Sequence, residues 1–187
     1  MSDQIRAFFA LKPDDEAIQQ LLDRIESLKR KGWDRLARFT TADNLHLTLR
    51  FLGEVEVETL DKLREGAKTI AAGISQFDYE IGAAILFPRV SRARVIVTKI
   101  EAPEELRELN RQLEQNAVDC GLPEEQWSFK PHVTLARLKQ GMKRPNLPSY
   151  AAPIRQRATE VTLYKSTLNS EGAQYDILES YPLSGQS

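Results

Sequence analysis

Two residue types that carry much of enzyme chemistry are scarce in this chain. Its 187 residues include one cysteine, Cys120, and two histidines. A lone thiol excludes an intramolecular disulfide and any zinc site built on cysteine pairs, and it fits a reducing compartment, so a cytoplasmic setting is expected. No apolar run approaches the roughly 20 residues that cross a bilayer. The stretch Met1 to Leu11 lacks the charged-then-apolar order of an export signal, because Asp3 and Arg6 interrupt it. A soluble protein with no membrane partner is the expectation. An excess of charge of one sign is also missing: 26 Lys and Arg balance 27 Asp and Glu, for a net charge of −1. Overall attraction to a long polyanion is thereby excluded, and an anionic ligand has to be caught by a local patch. Residues 130–165 supply one, with Lys130, Arg137, Lys139, Lys143, Arg144, Arg155, Arg157 and Lys165 against the single acid Glu160.

An apolar content of 41% suffices for one substantial core. Ala7 to Leu11 reads as a short buried strand. Asp14 and Asp15 offer an N-cap, and Ile18, Leu21, Leu22, Ile25 and Leu28 recur at helical spacing up to Gly32. A strand over Leu45 to Phe51, a helix over Glu58 to Ala72 and a strand over Phe77 to Phe87 follow. The second half repeats this order. Arg94 to Ile100 is a strand, Pro103 and Glu104 open a helix that runs to Gly121, and His132 to Leu138 is the next strand. Lys139 to Pro153 reads as a loop, with closing strands over Ala158 to Ser166 and Gln174 to Leu183. Arg6 and Arg94 are 88 positions apart and His46 and His132 are 86 apart, so a duplication needs two positions of loop adjustment. Strand, helix and motif strand recurring in this way imply two pseudo-symmetric lobes, about 1–88 and 89–187, intertwined in a single domain.

The motif is His-x-Thr. It occurs as His46, Leu47, Thr48, Leu49 and as His132, Val133, Thr134, Leu135. Side chains alternate along a strand, so each His and Thr share one face while the aliphatic pair enters the core. If the lobes face each other, two imidazoles and two hydroxyls converge on one small volume. A phosphate suits it: hydroxyls donate to the non-bridging oxygens, and the imidazoles serve the two apical oxygens as acid and base. Arg137, three residues past Thr134, is placed to add a bidentate contact. Two His with only hydroxyl neighbours make a poor metal-ligand set, so no metal and no cofactor are expected.

With these residues in view, the chain resembles the 2H phosphoesterases, and within them the bacterial RNA 2',3'-cyclic phosphodiesterases, also called 2'-5' RNA ligases. The matching segments are RAFFAL (Arg6 to Leu11), NLHLTLRFLGEV (Asn44 to Val55), RARVIV (Arg92 to Val97), FKPHVTLAR (Phe129 to Arg137) and VTLYKS (Val161 to Ser166). The resemblance implies an α/β (α+β), bilobal fold in which mainly antiparallel sheets line a central groove and helices lie outside. It implies hydrolysis of an RNA terminal 2',3'-cyclic phosphate to a 2'-phosphate, with reversible 2'-5' joining. It also implies His46 as proton donor and His132 as proton acceptor, with Thr48, Thr134 and Arg137 binding substrate; pseudo-symmetry leaves the division between the two His open. The expected partners are RNA ends bearing the cyclic phosphate. Small cyclic nucleotides, and a binding module without turnover, are the alternatives. Nothing demands more than a monomer. Phe8 and Phe9 are both read as core, and Arg92 and Arg94 as a surface pair. For Tyr164 and Lys165 a stacking or phosphate role and a solvated strand end stand side by side, and Lys143 and Arg144 are solvated loop charges that would steer RNA if they reach it.

Overall fold

The computed structural model describes residues 4–139, 146–149, 152–170 and 172–185. Its strands are β1 (Gln4–Leu11), β2 (Ala37–Phe39), β3 (Leu47–Glu56), β4 (Phe77–Phe87), β5 (Val95–Glu101), β6 (His132–Leu138), β7 (Ile154–Ala158), β8 (Glu160–Asn169) and β9 (Gly172–Pro182). Helices α1 (Asp15–Leu28), α2 (Val57–Gly73) and α3 (Glu104–Asp119) complete the mixed α/β fold. No helix among the described residues is long and apolar enough to cross a membrane.

Local chemistry accounts for the helix starts and stops. The Asp14 carboxylate accepts the Ala17 N–H at 2.8 Å, so α1 begins with a side-chain cap. It ends at Leu28, where the apolar spacing ends and short of the Gly32 stop expected from the sequence, and a wide turn over Lys29–Trp33 follows in which Gly32 takes a φ of 88°. Helices α2 and α3 meet at Gly66, where a methyl group would lie 2.0 Å from Asn116 Oδ1. The Asn116 amide uses that close approach to donate to the Leu63 carbonyl.

All strand pairings are antiparallel, in the order β7-β4-β5-β6-β3-β1-β8-β9, with β2 also on β6. Two strands were not expected from the sequence. β2 spans three residues, too few for a periodic signal. In β7 the inward positions are Ile154, Gln156 and Ala158, and the buried amide of Gln156 breaks the apolar alternation. Asp14 satisfies that amide: Gln156 Nε2 donates to Asp14 Oδ2 at 3.0 Å and Gln156 Oε1 accepts the Asp14 N–H at 2.9 Å. The described parts of residues 139–153 contain no helix or strand. Lys143 and Arg144 lie outside the described residues.

The sheet has an approximate two-fold arrangement about one residue pair. Among the described residues β3 and β6 are paired in the ladder only at Leu47↔Val133, each the residue after its motif His. On one side of this pair run β1, β8 and β9; on the other, β5, β4 and β7. Thr48 pairs with Ala10 while Thr134 pairs with Val97, so the repeat offset at β1 and β5 is 87 positions, one less than the Arg6–Arg94 alignment suggests. The halves of the chain interleave: β4 pairs with β5 and β7, and β8 and β9 lie beside β1.

One face of the sheet is covered by the helices over an aliphatic core that includes Leu21, Leu63, Ile96 and Leu109, together with Trp33. Phe9 belongs to this core and is 0% exposed. Phe8 does not. It lies on the opposite face in a separate cluster with Ala10 and Tyr164, against Tyr175. Both phenylalanines are buried as expected, in two clusters rather than one, because neighbouring positions of β1 alternate between the two faces of the sheet.

Candidate active site

Alternation alone would place Thr134 and Arg137, three residues apart, on opposite faces. A β-bulge changes that parity. Ile96 and Val97, neighbours on β5, pair with Ala136 and Thr134, which leaves Leu135 as an extra residue on β6. The same device operates on β3, where Phe9 and Ala10 pair with Arg50 and Thr48 and leave Leu49 unpaired. Leu49 and Leu135 occupy the same place in the two motifs, and both are buried. Each bulge turns the residue two further on back to the groove: Phe51 in one repeat, Arg137 in the other.

The open face of the sheet thus holds a groove of about 760 Å³. His46, Thr48, His132, Thr134 and Arg137 all line it. The two imidazoles are anchored alike. His46 Nδ1 lies 2.7 Å from the carbonyl oxygen of Asn44, and His132 Nδ1 lies 2.7 Å from that of Lys130. A carbonyl only accepts, so in both rings Nδ1 carries the proton and Nε2 is the atom left for chemistry. The Asn44 side chain donates to the Ala173 carbonyl at 2.7 Å and ties this loop to β9. Thr48 Oγ1 lies 3.0 Å from His46 Nε2, and its hydroxyl donates there while the ring is neutral.

Around the rings the two halves differ. His46 sits among aromatics, with ring centroids 4.9 Å from Phe8, 5.1 Å from Tyr175 and 6.2 Å from Tyr164. Burial in this cluster, assisted by the nearby His132, lowers its pKa to about 4 against the opposing hydrogen bond to Asn44. His132 stacks on Phe87 at 5.4 Å. It also borders a second hollow of about 660 Å³, which Phe129, Lys99 and Lys130 help to line.

The structure adds groove residues that the sequence reading missed. Arg6 alternates with Phe8 on β1, and its guanidinium stands 4.6 Å over the Phe51 ring with Nε buried and unpaired among the described residues. Arg38, Tyr175 and Ser166 line the same groove. Two of these had a signal available: Arg6 is two residues from Phe8, and Ser166 two from Tyr164. Arg38 and Tyr175 had none, since β2 was invisible and β9 mixes polar and apolar residues on both faces. Tyr164 is buried against Phe8 at 5.2 Å, which excludes a solvated strand end for it. Lys165, Arg92 and Arg94 are exposed and do not line the groove.

The 2'-5' RNA ligase superfamily model matches residues 10–169. The chain belongs to this superfamily. Among its relatives, an RNA 2',3'-cyclic phosphodiesterase of Methanothermobacter thermautotrophicus is 29% identical over 186 residues, covering 96% of this chain and 100% of that one. A protein of the same name from Aeropyrum pernix is 30% identical over 146 residues, covering 73% and 80%. Of solved superfamily structures, that of E. coli LigT complexed with 3'-AMP superposes with a TM-score of 0.82 at 28% identity, covering 97% of this chain and 99% of that one. A crystal structure of a Thermus thermophilus protein gives 0.85 at 27% identity, covering 97% and 100%. The expected α/β fold, mainly antiparallel with a groove on the sheet and helices outside it, is therefore the fold of this chain, its strands joined in one sheet.

Proposed function

We propose that the protein is an RNA 2',3'-cyclic phosphodiesterase that opens the terminal cyclic phosphate to a 2'-phosphomonoester. The names of its relatives give the reaction class. The observation that carries the mechanism is the matched anchoring of two imidazoles, each with Nδ1–H on a carbonyl and Nε2 toward one groove.

Water attacks phosphorus as His132 Nε2 takes its proton; the P–O3' bond breaks as His46 Nε2 gives a proton to O3'. One P–O bond forms and one breaks, and the proton count balances across the two rings. His46 has to be charged for this. In the free protein burial keeps it neutral near pH 7, with its pKa at about 4. A bound phosphodiester carries a negative charge, and an adjacent anion favours the imidazolium, so binding itself loads the acid. Loading frees Thr48 as well: protonated Nε2 no longer accepts, and the hydroxyl turns to a non-bridging oxygen. Thr134 takes the other, and Arg137 contacts substrate phosphate.

The groove is complete within one chain, which supports a monomer made of two interleaved repeats acting as one domain. Joining a 2',3'-cyclic end to a 5'-hydroxyl is hydrolysis with a hydroxyl in place of water, and the superfamily's name makes 2'-5' joining the second reading. The test is product analysis on an oligonucleotide with a 2',3'-cyclic end. Release of a 2'-phosphate supports the reading; a 3'-phosphate places the other oxygen against the acid and contradicts it.

A further inference from the structure

His132 lines a second cavity besides the groove, the hollow of about 660 Å³. The strand pairing explains why it is there. In the first repeat β9 runs alongside the whole of β8, and its Tyr175 packs on His46 together with Phe8 and Tyr164. In the second repeat β7 pairs with β4 only over Phe77–Ile81, so among the described residues no strand lies outside Ile85 and Phe87, which line the hollow. A volume of this size is within the roughly 300–1,000 Å³ usual for a small organic ligand. Phe87, stacked on His132, and Phe129 offer ring surface. Lys99, Lys130 and Arg107 stand around it against one acid, Glu101. None of the three cations has a carboxylate within ion-pair distance among the described residues. Lys99 is the cross-strand partner of His132, so the positive charge begins beside the base. Ring surface next to uncommitted cations is the combination that holds a single-stranded nucleotide.

Chemistry decides which nucleotide. The attacking and leaving oxygens lie in line at phosphorus, so whatever the attacking oxygen carries extends away from O3' and past the group that takes its proton. Water carries nothing there; an RNA 5'-hydroxyl carries a nucleoside and the phosphate that follows it. Resting on the cyclic-phosphodiesterase reading, with His132 as the base, we infer that the hollow seats the 5'-hydroxyl end of a second RNA strand, the acceptor in 2'-5' joining. O5' bonds to phosphorus as its proton passes to His132 Nε2, and the P–O3' bond breaks as His46 Nε2 protonates O3'. The first base of the acceptor rests on the phenylalanines, and the phosphate on its 3' side meets Lys99 and the neighbouring cations.

The test gives wild type, Lys99→Gln, Lys99→Arg and Ile85→Trp an oligonucleotide with a 2',3'-cyclic end together with a 5'-hydroxyl dinucleotide or a nucleoside. The ratio of 2'-5' joined to hydrolysed product is measured. In wild type it should rise with acceptor concentration and be higher for the dinucleotide. Lys99→Gln should lower the dinucleotide ratio about tenfold, as for loss of one charge-assisted contact, and Lys99→Arg should keep it. Ile85→Trp, which fills the hollow, should lower the ratio for both acceptors. Joining and hydrolysis falling together would put the cyclic-ended strand itself in the hollow, and hydrolysis without any joining would leave the hollow no acceptor. Either result overturns the inference and spares the phosphodiesterase reading. A wild type that performs neither reaction sinks that reading. Binding of the dinucleotide, followed by NMR titration and weakened in Lys99→Gln, then keeps the hollow as its seat, and no binding overturns it as well.

Discussion

The strands carrying His46 and His132 have the same backbone plan and different company. In both, Nδ1 is tied to the carbonyl two residues back, Thr follows at the second position, and a buried Leu forms a bulge at the third. Yet His46 is packed among Phe8, Tyr164 and Tyr175, while His132 rests on Phe87 beside an open hollow. The pairing explains part of this: Phe8 sits across from Tyr164, and the equivalent pair in the other repeat is Val95 and Phe87. Among the described residues only the His46 ring gains a further aromatic contact, with Tyr175 from β9. Backbone geometry thus sets where the imidazoles lie, and burial among the aromatic rings of the first half holds the His46 pKa down.

Breaking either strand's chemistry should give the largest effect. His46→Ala and His132→Ala should each lower kcat by roughly 10³-fold, within the range for loss of a positioned acid or base, as read by steady-state kinetics on a cyclic-ended oligonucleotide. Near wild-type activity in either would dissolve the pairing.

The threonines sharpen the comparison. Thr48→Val and Thr134→Val should each cost on the order of 10²-fold in kcat, as for removal of one donor to a developing oxyanion. Only Thr48→Val should also move the His46 titration, because only Thr48 is shown bonded to its own histidine.

Stability against pH separates the two halves without substrate. His46 has its folded pKa lowered to about 4 from 6.5, so the unfolded chain takes up its proton first as pH falls. That component of stability is intact above about pH 6.5, declines below it, and is fully lost once pH passes below about 4. Between pH 7 and 5 the wild type should lose up to about 2 kcal/mol more than His46→Gln, measured by urea denaturation. An equal loss in both proteins would show that burial of His46 is not the cause.

The smallest effect is the most local. Tyr175→Ser opens the aromatic cluster to water and should raise the His46 pKa by about one unit toward its ordinary value, followed by imidazole NMR. An unchanged pKa would remove the aromatic surroundings from the explanation.

Much of this was legible in the sequence where one period dominated. The 3.6-residue spacing from Ile18 to Leu28 marked α1, and two His-x-Thr strings in equivalent repeats marked the groove. The five expected site residues line it together. What was hidden depended on long-range pairing. β2 is recognisable only as the partner of β6, and with it Arg38; Gln156 looks polar until Asp14 is beside it. The bulges at Leu49 and Leu135 are departures from alternation, so a strict two-residue period sends Arg137 to the wrong face. Arg137 was anticipated from its place after the motif, and the bulge supplies the physical reason it reaches the groove.

The central claim is that two histidines divide one pair of proton transfers, and kcat measured against pH at saturating substrate tests it most directly. Wild type should give a bell. His46→Ala, at its reduced rate, should lack the alkaline limb because the acid is gone, and His132→Ala should lack the acidic limb because the base is gone. A full bell retained in either variant would contradict the account.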